Sequence, residues 1–480
     1  MESSPRSTSL RSLSDTTLTR RDAFRYGAVG LATLGGIASL AGCSTNGSTS
    51  QRKASPSAGA KKGTITVMVS QSPTAPEGQK KILDLLKQKF SDANPGSTLN
   101  FQVVQLGSAV TTAITTTAAS HEGPDIFEIG PNNLPAGQAA GVFTRITDAE
   151  WKDLGGKGRY LPSIVKAMGK DADNLVAIPY YASTMAMYYN KSLYASAGVS
   201  KPPTTWSEFV EVGQKLSSPS SGKFGVAEAA AEPTQPWHLV WLLTTQLGGS
   251  FISSNGKKAQ LDSDEVVEAT RFWLDWMGKF KIVNPKDATH TSAQQVQSFV
   301  NAQTAMFPCG FTQAISSMPG TAVEKDWALA GNPTVPYGQS KLKSGQPNVQ
   351  TYLGGATWAI SKYSKNRDLA LSLAKLMGDP DVQQLTWKEV GGLPVTKETF
   401  TKHPETKQGV WEVIFKAAES AQATPWSPSF PQVTPLIAAA VKPSFTALAG
   451  GGDYSASQLK QALSTANEQF QAALSSESTQ

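Results

Sequence analysis

The sequence predicts an α/β protein of two or three domains with a parallel sheet near its start. Three observations predict it. A strand, a helix and a second strand follow one another between Gly63 and Val104, further strand and helix signals continue to the C-terminus, and no short-period repeat interrupts them. The chain has 480 residues, of which 39% are hydrophobic and 17% charged, with 41 Gly and 29 Pro dispersed along it. That composition excludes a coiled coil, a collagen-like repeat and a wholly disordered chain.

Residues 1–42 read as a leader. Thr19-Arg20-Arg21-Asp22-Ala23-Phe24-Arg25 precedes an apolar run from Gly27 to Ala41 that ends in small residues, the layout of a secretory signal. As a helix this run rises roughly 22 Å, short of the ~30 Å hydrocarbon layer, so removal is expected rather than a permanent span. Arg20 and Arg21 resemble a twin-arginine export signal; Phe24 stands one place later than in the usual pattern, which leaves the general secretory route open. Leu40-Ala41-Gly42-Cys43 resembles a bacterial lipobox, implying that Cys43 is acylated and becomes the new N-terminus; the plain alternative is a small residue after a signal. Residues 43–62, rich in Ser, Gly, Ala and Thr and without an acidic side chain, read as a flexible tether whose cations favour an anionic membrane surface.

Folding is expected from Gly63. Thr64 to Val69 reads as a buried strand, Ser70 to Gly78 as a loop, and Gln79 to Phe90 as a helix with Ile82, Leu83, Leu86 and Phe90 on one side. After the Asn94-Pro95-Gly96 turn comes a strand over Thr98 to Val104, and Gly123 to Gly130 reads as a third, entered from a turn. Met185 to Tyr189 is a strand; Trp206 to Leu216, Asp264 to Phe280 (capped from Asp262) and Arg367 to Met377 are helices; Gln458 to Leu474 reads as a polar, Ala-rich surface helix.

The formal charge of +6 suggests a nucleic-acid binder until the charges are placed. Residues 1–62 carry nine basic and three acidic side chains, whereas the remaining body carries 34 of each. The body therefore has no bulk field to attract polyphosphate, and no nucleic-acid partner is expected. With Cys43 acylated, Cys309 has no disulfide partner. His121, His238, His290 and His403 are isolated and read as surface or loop residues, so no metal or other cofactor is expected. Asp262-Ser263-Asp264-Glu265 lacks the Gly and distant Glu of a calcium loop and reads as a helix start.

Six stretches in one order resemble the extracellular solute-binding proteins of bacterial ABC importers, in the sugar-binding branch that includes maltose-binding protein. They are Gly123-Pro124-Asp125-Ile126-Phe127 with Ala140-Gly141-Val142-Phe143; Ile178-Pro179-Tyr180 with Met187 to Leu193; and Pro202-Pro203-Thr204-Thr205-Trp206-Ser207-Glu208-Phe209. The others are Ala305 to Gly310, Gly354 to Ser361, and Gly392-Leu393-Pro394. The resemblance covers Gly63 to the C-terminus. It implies a two-lobe α/β fold of the type II periplasmic-binding-protein kind with a hinged inter-lobe cleft. The N-terminal lobe is expected at 63–184 and 337–385 and the C-terminal lobe at 185–336 and 386–480, with crossings near Thr184, Pro333 to Pro336 and Leu385. It further implies a monomeric, lipid-anchored carrier on the outer face of the cell membrane. That carrier closes on a sugar or oligosaccharide and delivers it to permease subunits served by a separate ATPase.

A neutral sugar needs flat apolar surfaces and fixed hydrogen-bonding groups. By position within the motifs, the resemblance implies Ser70, Gln71 and Ser72 from the first loop, Asn132 and Asn133 after the third strand, and Ser183 at the hinge. The last three stand where the maltose binder carries charge. The second lobe is expected to contribute Trp237, near a helix start after Pro236, with Gly310 and Phe311 after the Met-Phe-Pro-Cys loop. Gly354 and Gly355 suit either close backbone approach to ligand or a tight turn, and Trp426 and Phe430 in a Pro-rich loop suit a far wall. Trp241 and Trp358 read as core. Another small polar solute (a sugar phosphate, a polyamine, ferric ion) stays open. Tyr188 and Tyr189 alternate across a strand, however, and do not present both rings to one iron. A secreted carbohydrate-active enzyme needs only two carboxylates and no motif, and is the competing class; no catalytic residue is assigned.

Overall fold

The computed structural model describes residues 62–72, 75–105, 108–232 and 234–477. The expected leader, Cys43, Arg20 and Arg21, and all of the tether but Lys62 lie outside them. Among the described residues eight strands form two sheets: β1 Thr64–Ser70, β2 Thr98–Val104, β3 Ile126–Ile129, β4 Ile178–Ser183, β5 Met185–Asn190, β6 Met306–Phe311, β7 Trp327–Ala330 and β8 Gly354–Ile360. The first sheet has the order β2-β1-β3-β8-β4 and the second β6-β5-β7. β1 pairs in parallel with β2 and β3, as the strand–helix–strand pattern predicts, while β8 runs antiparallel to both β3 and β4. The two sheets are the centres of the two lobes.

The first lobe forms because its helices place apolar residues four apart against the sheet. Helix Pro76–Ala93 buries Gly78, Ile82, Leu86 and Phe90, starting three residues before the sequence-read bound because Pro76 occupies its first turn. It packs on helices Arg367–Met377 and Pro380–Val390. In the second lobe, helix Trp206–Lys215 is closed by a capping box of Thr205 and Glu208, and Trp206 donates to Gln246 Oε1 at 2.7 Å. Helix Asp264–Met277 is capped by Ser263 rather than Asp262: the Ser263 hydroxyl accepts from Val266 N.

β5 shows how one strand serves two cores. Ala186 and Tyr188 join the core of the first sheet, whereas Met185 and Met187 join that of the second-lobe helices. Tyr188 and Tyr189 accordingly lie on opposite faces. Helix Val410–Ser420 packs on β5, β7 and the short helix Pro162–Lys166, which makes the first core continuous with one face of the second sheet.

Thr184 alone separates β4 from β5; Val349 and Tyr352 belong to the second core and Leu353 to the first, so a second crossing between the two cores falls at Leu353. Leu385 lies inside helix Pro380–Val390, and the apolar residues from Val390 to Ala418 pack in the first core; the chain re-enters the second at Phe430. The Met-Phe-Pro-Cys loop is strand β6. The C-terminal helix Ala456–Glu477 is no mere surface helix, since Leu459, Leu463, Ala466, Phe470 and Leu474 are buried against the second core.

Candidate binding site

The carboxyl ends of β1, β3 and β4 and the amino end of antiparallel β8 share one edge of the first sheet. Such an edge is where open α/β sheets take ligands. Ser70 to Ser72, Asn132, Asn133, Ser183, Gly354 and Gly355 therefore converge there, although 70 and 355 are far apart in sequence. In the second sheet Met185 pairs with Phe311, which puts Phe311 at the end where β4 passes through Thr184 into β5.

The first-lobe edge is hydroxyl- and amide-rich. Gln79 Nε2 donates to Ser70 O at 2.7 Å and Gln79 Oε1 accepts from Ser72 N at 2.9 Å, while Ser72 Oγ accepts from Ala75 N at 3.2 Å. Gln71 N donates to Val104 O, and the Gln105 amide donates to Gln71 Oε1. Sequence reading misses Gln79 and Gln105, since nothing distinguishes a loop-organising Gln from a solvated one. Asn132 and Asn133 are half-buried on the turn Pro131–Asn133. That turn packs against the turn Phe430–Gln432 of the other lobe.

Several expected contacts are already committed elsewhere. Ser183 is 2% exposed, and its hydroxyl donates to Gln313 Oε1 at 2.9 Å and lies 3.2 Å from Thr312 Oγ1. Ser183 is thus a fastener between the lobes. A Cβ on Gly310 would overlap the Phe307 ring, which stacks on Tyr188 at 4.5 Å, so this glycine makes room for an aromatic pair rather than a ligand. A Cβ on Gly354 would meet the Tyr352 hydroxyl at 2.7 Å. On Gly355, at φ +119°, it would overlap Tyr181 O. The Tyr352 side chain at Gly354 and the close approach of the β4 backbone at Gly355 each leave no room for a Cβ.

Trp237, expected to stack on ligand, is 2% exposed, because helix Gln235–Gln246 is buried on every side. Its ring lies edge-on to Tyr352 and to Phe430, each at 5.4 Å. Phe430, expected as a wall, is likewise core, and Trp426 is half-buried against the first core. Trp241 and Trp358 are core, as expected. Phe311 stays half-buried at the edge, edge-on to His238 at 5.1 Å and to Tyr352 at 6.1 Å. His238 is not a surface residue: it is 5% exposed and stacks on Tyr352 at 4.6 Å. Neither His238 nor Tyr352 carries a local sequence signal, because their neighbours come from distant segments.

Burial also sets the charge of this region. The Glu128 carboxyl, one residue inside the end of β3, is pushed up to about 8 by desolvation, with Trp358 Nε1 donating to it at 3.4 Å. His238 is pushed down to about 3 by burial and is neutral at ordinary pH. Among the described residues no group of three His, Cys, Asp or Glu is placed to hold a metal ion, and no helix is long and apolar enough to cross a membrane. A surface depression of about 470 Å³ lined by Asp148, Trp151, Lys152 and residues 155–157 includes none of the candidate residues.

The sequence profile of the bacterial extracellular solute-binding protein family matches residues 73–384. The diacetylchitobiose binding protein DasA of Streptomyces coelicolor is 26% identical over 85% of this chain and 89% of its own length. The maltodextrin-binding protein MdxE of Bacillus subtilis is 23% identical over 64% of this chain and 73% of its own. Among solved structures, maltose-bound MalE3 of T. maritima superposes with a TM-score of 0.70 at 21% identity, over 86% of this chain and all of that one.

Proposed function

The chain belongs to the bacterial extracellular solute-binding protein family, and from that premise we propose that it captures a neutral sugar or oligosaccharide for an ABC importer. One observation carries the choice of ligand: the edge residues are Ser, Gln, Asn and Phe, none ionisable, and burial holds Glu128 mainly and His238 wholly uncharged at pH 7. Such a set offers hydrogen bonds and a flat apolar face without a fixed charge, which suits a polyhydroxylated neutral solute and disfavours phosphate, polyamine or ferric ion. The names of the relatives support the same class, since one is a diacetylchitobiose binder and another a maltodextrin binder.

The protein acts as a carrier and not as an enzyme in this reading. Ligand that touches both lobes favours the closed arrangement over the open one, and permease subunits read that difference. Acylation of Cys43 would hold the carrier as a monomer at the outer face of the membrane. The test is a thermal-shift and calorimetric panel of diacetylchitobiose, maltotriose, cellobiose, glycerol 3-phosphate and spermidine. Stoichiometric binding of a neutral saccharide without turnover is expected; tighter binding of a charged solute, or hydrolysis of any saccharide, overturns the reading. For the anchor, Cys43→Ser should release the protein from the membrane fraction, and continued retention would remove lipidation from the proposal.

A further inference from the structure

Where the chain passes between lobes, the described residues form a buried polar knot centred on Asn332. Asn332 is 2% exposed. Its Oδ1 accepts from Cys309 N at 2.9 Å, and its Nδ2 donates to Met185 O at 3.2 Å and to Gln350 O at 2.9 Å. One short side chain thus joins β6, the start of β5 and the second crossing. Thr351, 1% exposed, adds to the tie: its Oγ1 accepts from Met185 N at 2.7 Å and donates to Tyr352 O at 2.8 Å. The third crossing is stitched to the second, since Leu353 N donates to Gln422 O at 2.7 Å. Asn332 thereby bridges the first two crossings and the strand that ends at the ligand edge.

The β6 contact explains why an amide is placed there. Cys309 has φ +56°, a conformation that non-glycine residues rarely adopt, and it lies where the pairing of β5 and β6 shifts register between Ala186 and Tyr188. Phe311 is two residues beyond this kink, and Gly310 between them has no room for a side chain. The direction in which Phe311 leaves the sheet therefore depends on a kink whose N–H is held by Asn332. The other end of the same amide holds the first and second crossings. A Leu or Ala here fills space but supplies neither contact, and an unpaired buried N–H at Cys309 is costly.

We propose that Asn332 is a positioning residue that couples Phe311, on the ligand side, to the inter-lobe crossings, so that ligand contact is transmitted to the hinge. This coupling rests on the sugar-binding reading and is the means by which that site communicates. The sugar itself meets Phe311; Asn332 acts only through the backbone of Cys309, Met185 and Gln350.

The experiment is amide hydrogen exchange on the full chain, with and without the tightest-binding saccharide of the panel, in wild type, Asn332→Ala, Thr351→Val and Thr351→Ser. In wild type the saccharide should slow exchange in 306–311, 185–190 and 350–353 together. In Asn332→Ala the Cys309 amide should exchange at least about tenfold faster, saccharide affinity should fall about threefold, and protection at 350–353 should no longer accompany binding. A merely structural residue would lower stability but leave the ligand-induced protection pattern intact, and that result overturns the proposal. If Asn332→Ala fails to fold, the Thr351 pair decides. Thr351→Val should bind saccharide but lose protection at 185–190, with Thr351→Ser restoring it, whereas identical behaviour of the two overturns the coupling. If wild type binds no saccharide, the sugar reading fails, and the proposal falls with it for that separate reason.

Discussion

The two lobes solve the same problem with different chemistry. The first is a five-stranded sheet whose carboxyl-end edge carries Ser70, Gln71, Ser72, Asn132 and Asn133; the second is a three-stranded sheet under helices that bury Trp206, Trp237, Trp241, Trp273 and Trp276, and its edge presents Phe311. Hydrogen-bonding groups thus come from one side and the aromatic face from the other. Under the proposed function, a sugar that needs both is held fully only when the lobes are together. Each lobe also buries a glutamate beneath a tryptophan N–H: Glu128 under Trp358 at 3.4 Å, and Glu228 under Trp273 at 3.1 Å. Glu228 has a second donor, Ala229 N at 2.7 Å, and is pushed up to about 7 against about 8 for Glu128. Extra donors moderate the cost of burying the charge.

The contrast between the lobes is tested most severely by Trp237→Ala. If the second lobe owes its stability to aromatic packing, the cavity should cost about 3–5 kcal/mol in chemical denaturation. A loss below about 1 kcal/mol would mean that Trp237 is not core and return it to the ligand wall. Next in size is the pH dependence. Burial raises Glu128 from 4.5 to about 8, so the folded state holds its proton where the unfolded state has released it. Its stabilising contribution is complete below about pH 4.5 and is lost as pH rises through about 8. Glu128→Gln should therefore match wild type at pH near 4.5 and exceed it at pH near 8, on the order of 4 kcal/mol. Glu228→Gln should gain less over a narrower window ending near 7, and an equal or larger gain would contradict the contrast between the lobes. The smallest effect is expected from Phe311→Ala, which should weaken saccharide affinity by about 1 kcal/mol while leaving the denaturation midpoint nearly unchanged, as titration of Trp fluorescence would show.

What can be read in the sequence follows from range. β1, helix Pro76–Ala93 and β2 are contiguous, so periodicity and a Pro-Gly turn are enough to find them. Ser70 to Ser72 and the Asn pair are placed by the motif resemblance, at the ends of strands that the local pattern makes legible. The aromatic side is not. Trp237 sits near a helix start, which reads as exposed, but the residues that cover it, Tyr352 and Phe430, lie more than a hundred positions away. Gly354 and Gly355 suit ligand approach or a tight turn equally, and Gly310 reads as a ligand contact; the rings of Tyr352 and Phe307 and the backbone of Tyr181, all brought in by the fold, are what crowd them. Leu385, expected near a crossing, lies inside helix Pro380–Val390, whose packing is set by helix Pro76–Ala93, a partner three hundred positions earlier.

The position of β8 has a consequence for biosynthesis. It fills the slot between β3 and β4, yet its residues, 354–360, come off the ribosome long after both neighbours. Until then β4 has no place in the sheet and the first lobe stays unfinished, a delay typical of topologies dominated by distant pairings. A nascent chain built this way keeps its first lobe pliable through most of its translation.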